Sequence, residues 1–313
     1  MKEYTMNGII PAAYTPMNED GSVNYSAIKD MSEYLGATGV EGIFICGSTG
    51  EGCNLTTAER MRVAEEYVKH FPGDVIVHVG HNCLQDAADL AAHAQKINAA
   101  AASAICPTYF PMNSTDVLLR SMKQIADACP DIPFYYYHIP ALTSAGADLV
   151  KFLELADSEI PNLRGVKFTN EQIFNYLACK KAAGGKYDVA YGYDEMMIAG
   201  WSAGAKAYVG STFNFMTPLY QELVKAADAG DMEEAIRLQN LSEDVIRTIN
   251  SIGAFHPLVK TVISRLGVPC GPARLPMDTV TNAQATTLWL KLVELGVTPY
   301  LNKPLKKFEA EAV

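Results

Sequence analysis

A chain of 313 residues is too long for one small domain and ordinary for a single α/β barrel of about 250 residues with an addition. With 49% apolar and 19% charged residues it has ample material for a core, which excludes a disordered chain, and its net charge of -10 argues against a nucleic-acid partner. No basic run precedes the modest tail KPLKKFE at 303–309.

Strands are predicted where short runs rich in Val, Ile, Phe and Tyr meet Gly, Pro, Ser or Thr punctuation: 8–15, 42–46, 75–79, 102–106, 133–138, 165–168, 188–192 and 205–210. Helical patterns lie between them. One is TTAERMRVAEEYVKHF, where Thr56 is placed to cap and Glu59 to complete a capping box; another is DAADLAAHAQKINA. The alternation implies a parallel sheet with helical crossovers. Eight units suggest closure into a (β/α)8 TIM barrel, with a doubly wound open sheet as the alternative on pattern alone. After about residue 216 the strand signal stops, and MEEAIRLQNLSEDVIRTI and NAQATTLWLKLVELG read as helices. The expected division is therefore a barrel over 1–225, carrying the active site, and a C-terminal helical extension over 226–313.

Seven cysteines (Cys46, Cys53, Cys83, Cys106, Cys129, Cys179 and Cys270) form no CxxC pair, and their odd number does not describe a disulfide framework. The N-terminal MKEYTMNGIIPAAYTP has too short an apolar stretch for a secretory signal, and no segment reaches the roughly 20 apolar residues of a membrane span. Reduced thiols and a cytoplasmic address are the expectation.

In a barrel the C-terminal strand ends face the active-site mouth. Strand two ends in GSTGEG (47–52), which is neither a P-loop nor a dinucleotide fingerprint. It is either a plain strand-to-helix turn or a site where Ser48 and Thr49 hold a carboxylate through hydroxyl and backbone N–H donors. Strand six carries Lys167 between Val166 and Phe168, so Lys167 faces away from both and toward the interior of a barrel. Such a lysine either snorkels to the rim or makes a structural ion pair, or it is a buried amine able to form a Schiff base with a ketone. Strand five offers Tyr135, Tyr136 and Tyr137, good packing residues, of which Tyr137 at the strand end is also placed to relay a proton. In YGYDE, Asp194 and Glu195 either cap the next helix or hydrogen-bond a polyhydroxylated substrate. His78 and His81 are three apart at the end of strand three, on opposite faces, and do not make a metal site; HExxH and GxSxG are absent too.

Taken together, Ser48 and Thr49 in GSTGE, the YxxP of Tyr137 to Pro140, Lys167 in GVKFT, GYDE, and GST at 210–212 resemble the N-acetylneuraminate lyase and dihydrodipicolinate synthase superfamily of class I aldolases, from about residue 7 into the C-terminal helices. PFYYYHIPALT and GYDE look most like the lyase branch. The resemblance implies a (β/α)8 barrel, a homotetramer, pyruvate bound as a Schiff base on Lys167, and no metal or organic cofactor. It implies that Ser48 and Thr49 hold the pyruvate carboxylate, that Tyr137 transfers the proton, and that Tyr109 matches a tyrosine lent by a neighbouring subunit. It matches Thr169, Gly192, Asp194, Glu195 and Ser211 to the sugar-chain contacts and sets Phe255 beside them. The synthase branch has an arginine where this chain has Leu142, which removes bidentate carboxylate recognition and argues against dihydrodipicolinate synthesis. The family usually has glycine where this chain has Ser144, so a change in the local loop is expected.

The implied reaction is reversible cleavage of N-acetylneuraminate to N-acetylmannosamine and pyruvate. Its rivals are a pyruvate aldolase for a shorter 2-keto-3-deoxy sugar acid, a dihydrodipicolinate synthase-like enzyme, and a non-catalytic barrel that senses keto acids.

Overall fold

The computed structural model describes residues 2–305. Most of the basic tail and the last part of the expected extension, 306–313, lie outside the described residues. Eight parallel strands run β1 (Gly8–Pro11), β2 (Gly42–Ile45), β3 (Asp74–His78), β4 (Ala101–Ala104), β5 (Phe134–His138), β6 (Leu163–Phe168), β7 (Asp188–Tyr191) and β8 (Ala207–Gly210). Their spatial order is β1-β8-β7-β6-β5-β4-β3-β2. A parallel bridge from Ala12 to Phe44 joins the two ends, where the Ala13 N–H donates to the Phe44 carbonyl at 2.9 Å. The sheet therefore closes as the expected barrel, and the open doubly wound alternative falls.

Between and beyond the strands lie α1 (Ala27–Gly36), α2 (Thr57–His70), α3 (Leu84–Lys96), α4 (Thr115–Ala126), the single turn α5 (Pro140–Thr143), α6 (Leu149–Glu159), α7 (Ile173–Lys181), α8 (Met197–Ser202), α9 (Phe213–Asp228), α10 (Met232–Ile252), α11 (Phe255–Arg265) and α12 (Asn282–Glu294). The predicted capping box of α2 is present: the Thr56 side chain accepts from the Glu59 N–H, and the Glu59 side chain accepts from the Thr56 N–H. Among the described residues no helix is long and apolar enough to cross a membrane.

The two-residue period of the strands sorts side chains into two buried clusters. Ile43, Ile45, Val75, Val77, Phe134, Tyr136, Val166 and Phe168 face outward into the layer between strands and helices. Ile10, Phe44, Ile76, Tyr135, Tyr137 and Val209 fill the interior together with Ala101, Ala190 and Ala207. Small alanines on β4, β7 and β8 give the interior rings their room. At the N-terminal end, the Tyr135 hydroxyl and the Met6 N–H both donate to Asp188, at 2.9 and 2.8 Å, which closes the floor.

Candidate active site

At the C-terminal mouth lies a cavity of about 310 Å³. Its walls include Ser48, Thr49, Tyr137, Lys167, Thr169, Gly192, Asp194, Glu195, Ser211 and Phe255, so nearly every residue nominated from the sequence converges on one space.

The wall at β2 has a compressed backbone. Cys46 and Glu51, neither of them glycine, take left-handed φ of 56° and 55°. A Cβ on Gly52 would stand 1.9 Å from the Cys46 carbonyl oxygen, and one on Gly50 would meet the Cys46 nitrogen at 2.9 Å. The glycines of GSTGEG thus permit close backbone contact, and this tight turn presents Ser48 and Thr49 to the cavity. The Thr49 and Ser211 hydroxyls share a 2.7 Å hydrogen bond, linking the β2 and β8 walls.

Opposite stands Lys167. On the inner face of β6 it pairs in register with Tyr137 of β5 and with Ala190 of β7, the latter too small to crowd the amine. Its Nζ lies 3.8 Å from the Tyr137 ring centre and 4.5 Å from that of Phe44, and it has no hydrogen bond or carboxylate partner among the described residues. The residue is only 5% exposed, which rules out snorkelling to the rim. Beneath it, His78 is neutral: burial above all, then the charges of Arg60 and Lys167, holds its imidazole well below the usual histidine range. Its network sets the tautomer, with Nδ1 donating to the Cys46 carbonyl at 3.1 Å and Nε2 accepting from the Ile105 N–H at 3.2 Å. His78 is buried at the strand end while His81 is half exposed beyond it, so the two do not meet.

On the far side, Thr169 is buried and its hydroxyl has no hydrogen-bond partner among the described residues. A Cβ at Gly192 would come within 1.9 Å of that hydroxyl oxygen, so glycine at 192 is what lets Thr169 face the cavity. The Asp194 carboxylate is already engaged, accepting from the Thr212 N–H at 2.8 Å and from its hydroxyl at 2.6 Å. The neighbouring Glu195 carboxyl shares a side-chain hydrogen bond with Asp194. Burial first, then the neighbouring Asp194 charge, pushes the Glu195 carboxyl from 4.5 up to about 8. The shift favours the protonated form of Glu195 over that of an ordinary glutamate, and a protonated carboxyl can both donate and accept a hydrogen bond.

This shift has a thermodynamic consequence. The native state keeps on Glu195 a proton that the unfolded chain releases near 4.5, so stability declines as pH rises from about 4.5 to about 8. Glu195→Gln is expected to flatten this part of the curve and to melt above the wild type near pH 9. Thermal melts from pH 4 to 9 check it, and parallel curves would refute the raised carboxyl.

The structure does not bring Tyr109 to this chain's cavity. It is 80% exposed on the β4–α4 loop, stacked edge-on against the equally exposed Phe110. Leu142, half-projecting from α5, lines the rim of the cavity. Ser144 ends α5 with φ 50° and ψ 25°, so serine itself adopts the left-handed conformation that glycine favours. Ile246 and Asn250 of α10, His256 of α11 and Tyr193 also line the cavity and were not nominated from the sequence. Spacing of four on one helix was the only available signal for Ile246 and Asn250.

Fold and site define a (β/α)8 barrel whose mouth holds a lysine, unpaired among the described residues, between a hydroxyl-bearing turn and an acidic wall. The model of the dihydrodipicolinate synthetase family matches residues 5–295. An N-acetylneuraminate lyase from Xenopus tropicalis is 37% identical over 298 residues, spanning 93% of this chain and 97% of its own. The solved N-acetylneuraminate lyase of Proteus mirabilis superposes with a TM-score of 0.90 at 34% identity, covering 93% of this chain and 99% of its own. A catalytic lysine mutant of Ruminococcus gnavus sialic acid aldolase superposes with a TM-score of 0.88 at 26% identity, covering 96% and 100%. This chain belongs to the dihydrodipicolinate synthetase family.

Proposed function

We propose that this protein is a class I aldolase that reversibly cleaves N-acetylneuraminate to N-acetylmannosamine and pyruvate through an imine on Lys167. The observation that carries the reading is a buried lysine amine, without a carboxylate partner among the described residues, over the ring of Tyr137 in a cavity with hydroxyl donors. The similarity of this chain to proteins named as N-acetylneuraminate lyases supports the substrate.

In this mechanism the Ser48–Thr49 turn fixes the substrate carboxylate and so sets C2 of the open-chain sugar against the amine. Lys167 adds to the C2 carbonyl, water leaves, and the protonated imine becomes the electron sink. Tyr137 takes the proton from the C4 hydroxyl, the C3–C4 bond breaks, and its electrons pass into an enamine on Lys167. Protonation at C3 and hydrolysis of the imine release pyruvate and restore the amine. No metal or organic cofactor is needed for this sequence. Thr169, Glu195 and Ser211 take the hydroxylated tail, with Asp194 shaping the wall through Thr212 and Gly192 leaving space for Thr169. Phe255 and the other helices beyond residue 225 act as an extension that closes the cavity.

Leu142 at the rim disfavours the synthase reaction, because it leaves no guanidinium for a second carboxylate. The exposed Tyr109 and Phe110 fit a subunit contact within a cytoplasmic homotetramer, where Tyr109 would join a neighbour's proton relay. Borohydride reduction with pyruvate, followed by peptide mass mapping, tests the mechanism. A pyruvyl adduct on Lys167 is expected, and its absence sinks the proposal.

A further inference from the structure

Behind the hydroxyl-bearing turn sits an ion pair in which both side chains are fully buried. Lys260, from α11 in the C-terminal extension, places Nζ 2.8 Å from Glu51 Oε1. The same ammonium donates to the Thr15 carbonyl at 3.1 Å and the Pro272 carbonyl at 2.7 Å, so each of its three protons has an acceptor. The other carboxylate oxygen of Glu51 accepts from the Arg274 N–H at 2.8 Å. Glu51 directly follows Ser48–Thr49–Gly50, and its N–H donates to the Ser48 carbonyl at 3.1 Å. The Thr15 hydroxyl donates to the Gly50 carbonyl at 2.7 Å, so the segment that accepts from Lys260 also grips the turn.

The rest of the loop is tied to the same extension. Arg274 donates to both carboxylate oxygens of Glu59, at 2.9 and 2.8 Å, and to the Asn54 carbonyl at 2.9 Å. With Glu51 in a left-handed conformation, the turn is not held by local preference alone. A buried pair of this kind gains its strength from complete pairing, and either charge alone would disrupt its surroundings.

We infer that Lys260 is a positioning residue for the substrate carboxylate: acting through Glu51, it holds Ser48 and Thr49 in the geometry that receives that group. This rests on the imine reading of Lys167. The extension is then part of the binding site's construction, reaching it through an ion pair that no cavity-lining residue reveals.

Two ketones separate this role from plain stability. Pyruvate carries the carboxylate that the turn would hold, whereas hydroxyacetone carries a ketone and no carboxylate. Borohydride trapping of each on Lys167 gives a half-saturating concentration. In Lys260→Met that concentration for pyruvate is expected to rise about tenfold to a hundredfold, the loss of one or two charge-assisted hydrogen bonds, while hydroxyacetone moves less than about threefold. Should Lys260→Met fail to fold, the double variant Glu51→Gln with Lys260→Met removes both charges together and is read by the same ratio. An unchanged pyruvate-to-hydroxyacetone ratio in whichever folded variant is measured overturns the positioning role. A wild-type protein that traps neither ketone overturns the imine reading itself, and the positioning role with it.

Discussion

Lys167→Met is expected to cleave N-acetylneuraminate at no more than about 10⁻⁴ of the wild-type rate, a loss of roughly 5 kcal/mol in transition-state stabilisation. Methionine replaces the stem of the lysine, keeps contact with the rings of Phe44 and Tyr137, and removes only the amine that forms the imine. Because the ammonium has no ion-pair partner among the described residues, its removal leaves no charge stranded, and the barrel is expected to melt at or above the wild-type temperature. The combination of lost activity and retained stability is the informative result. Pyruvate release at saturating substrate, measured beside thermal melts, gives both numbers. Activity above about one per cent of wild type would show that the C3–C4 bond breaks without an electron sink on this residue.

The legibility of the site follows from where its residues stand on the strands. Lys167 could be read because a strand alternates its faces: with Val166 and Phe168 packed outward, the residue between them had to look inward. The glycines of GSTGEG marked a tight turn, though which contacts demanded them depends on Cys46, and no spacing rule contains that contact. Strand ends were less legible. The fourth strand was expected to reach residue 106 but stops at Ala104, because the Ile105 N–H turns to His78 Nε2 instead of the ladder. The Glu51–Lys260 pair was hidden altogether, since its partners are 209 residues apart and meet only after the extension folds back over the mouth. Asn250 and His256 are also ordinary helix residues until α10 and α11 are placed against the barrel. Thr212, likewise, gains meaning only from its two hydrogen bonds to Asp194.

Tyr137→Phe is expected to lower the rate of cleavage by about 10²- to 10⁴-fold, the range for loss of a general acid–base group, while imine trapping with pyruvate stays within a few-fold of wild type. The argument turns on what the substitution leaves in place. The Tyr137 ring packs edge-on against Phe44 at 5.8 Å and against His78 at 6.0 Å, and it faces the Lys167 ammonium. Phenylalanine keeps all three contacts, so the lysine and the inner wall should not move. Only the hydroxyl is lost, and in the proposed mechanism it moves the C4 proton after the imine has formed. A packing role predicts the reverse pattern: little change in cleavage, or cleavage and trapping declining together as the wall loosens. His78, neutral and already using both ring nitrogens, has no free site with which to replace the phenol. Single-turnover cleavage and borohydride trapping on the same preparation therefore distinguish a proton relay from a structural ring, and equal losses in the two assays would assign Tyr137 to packing.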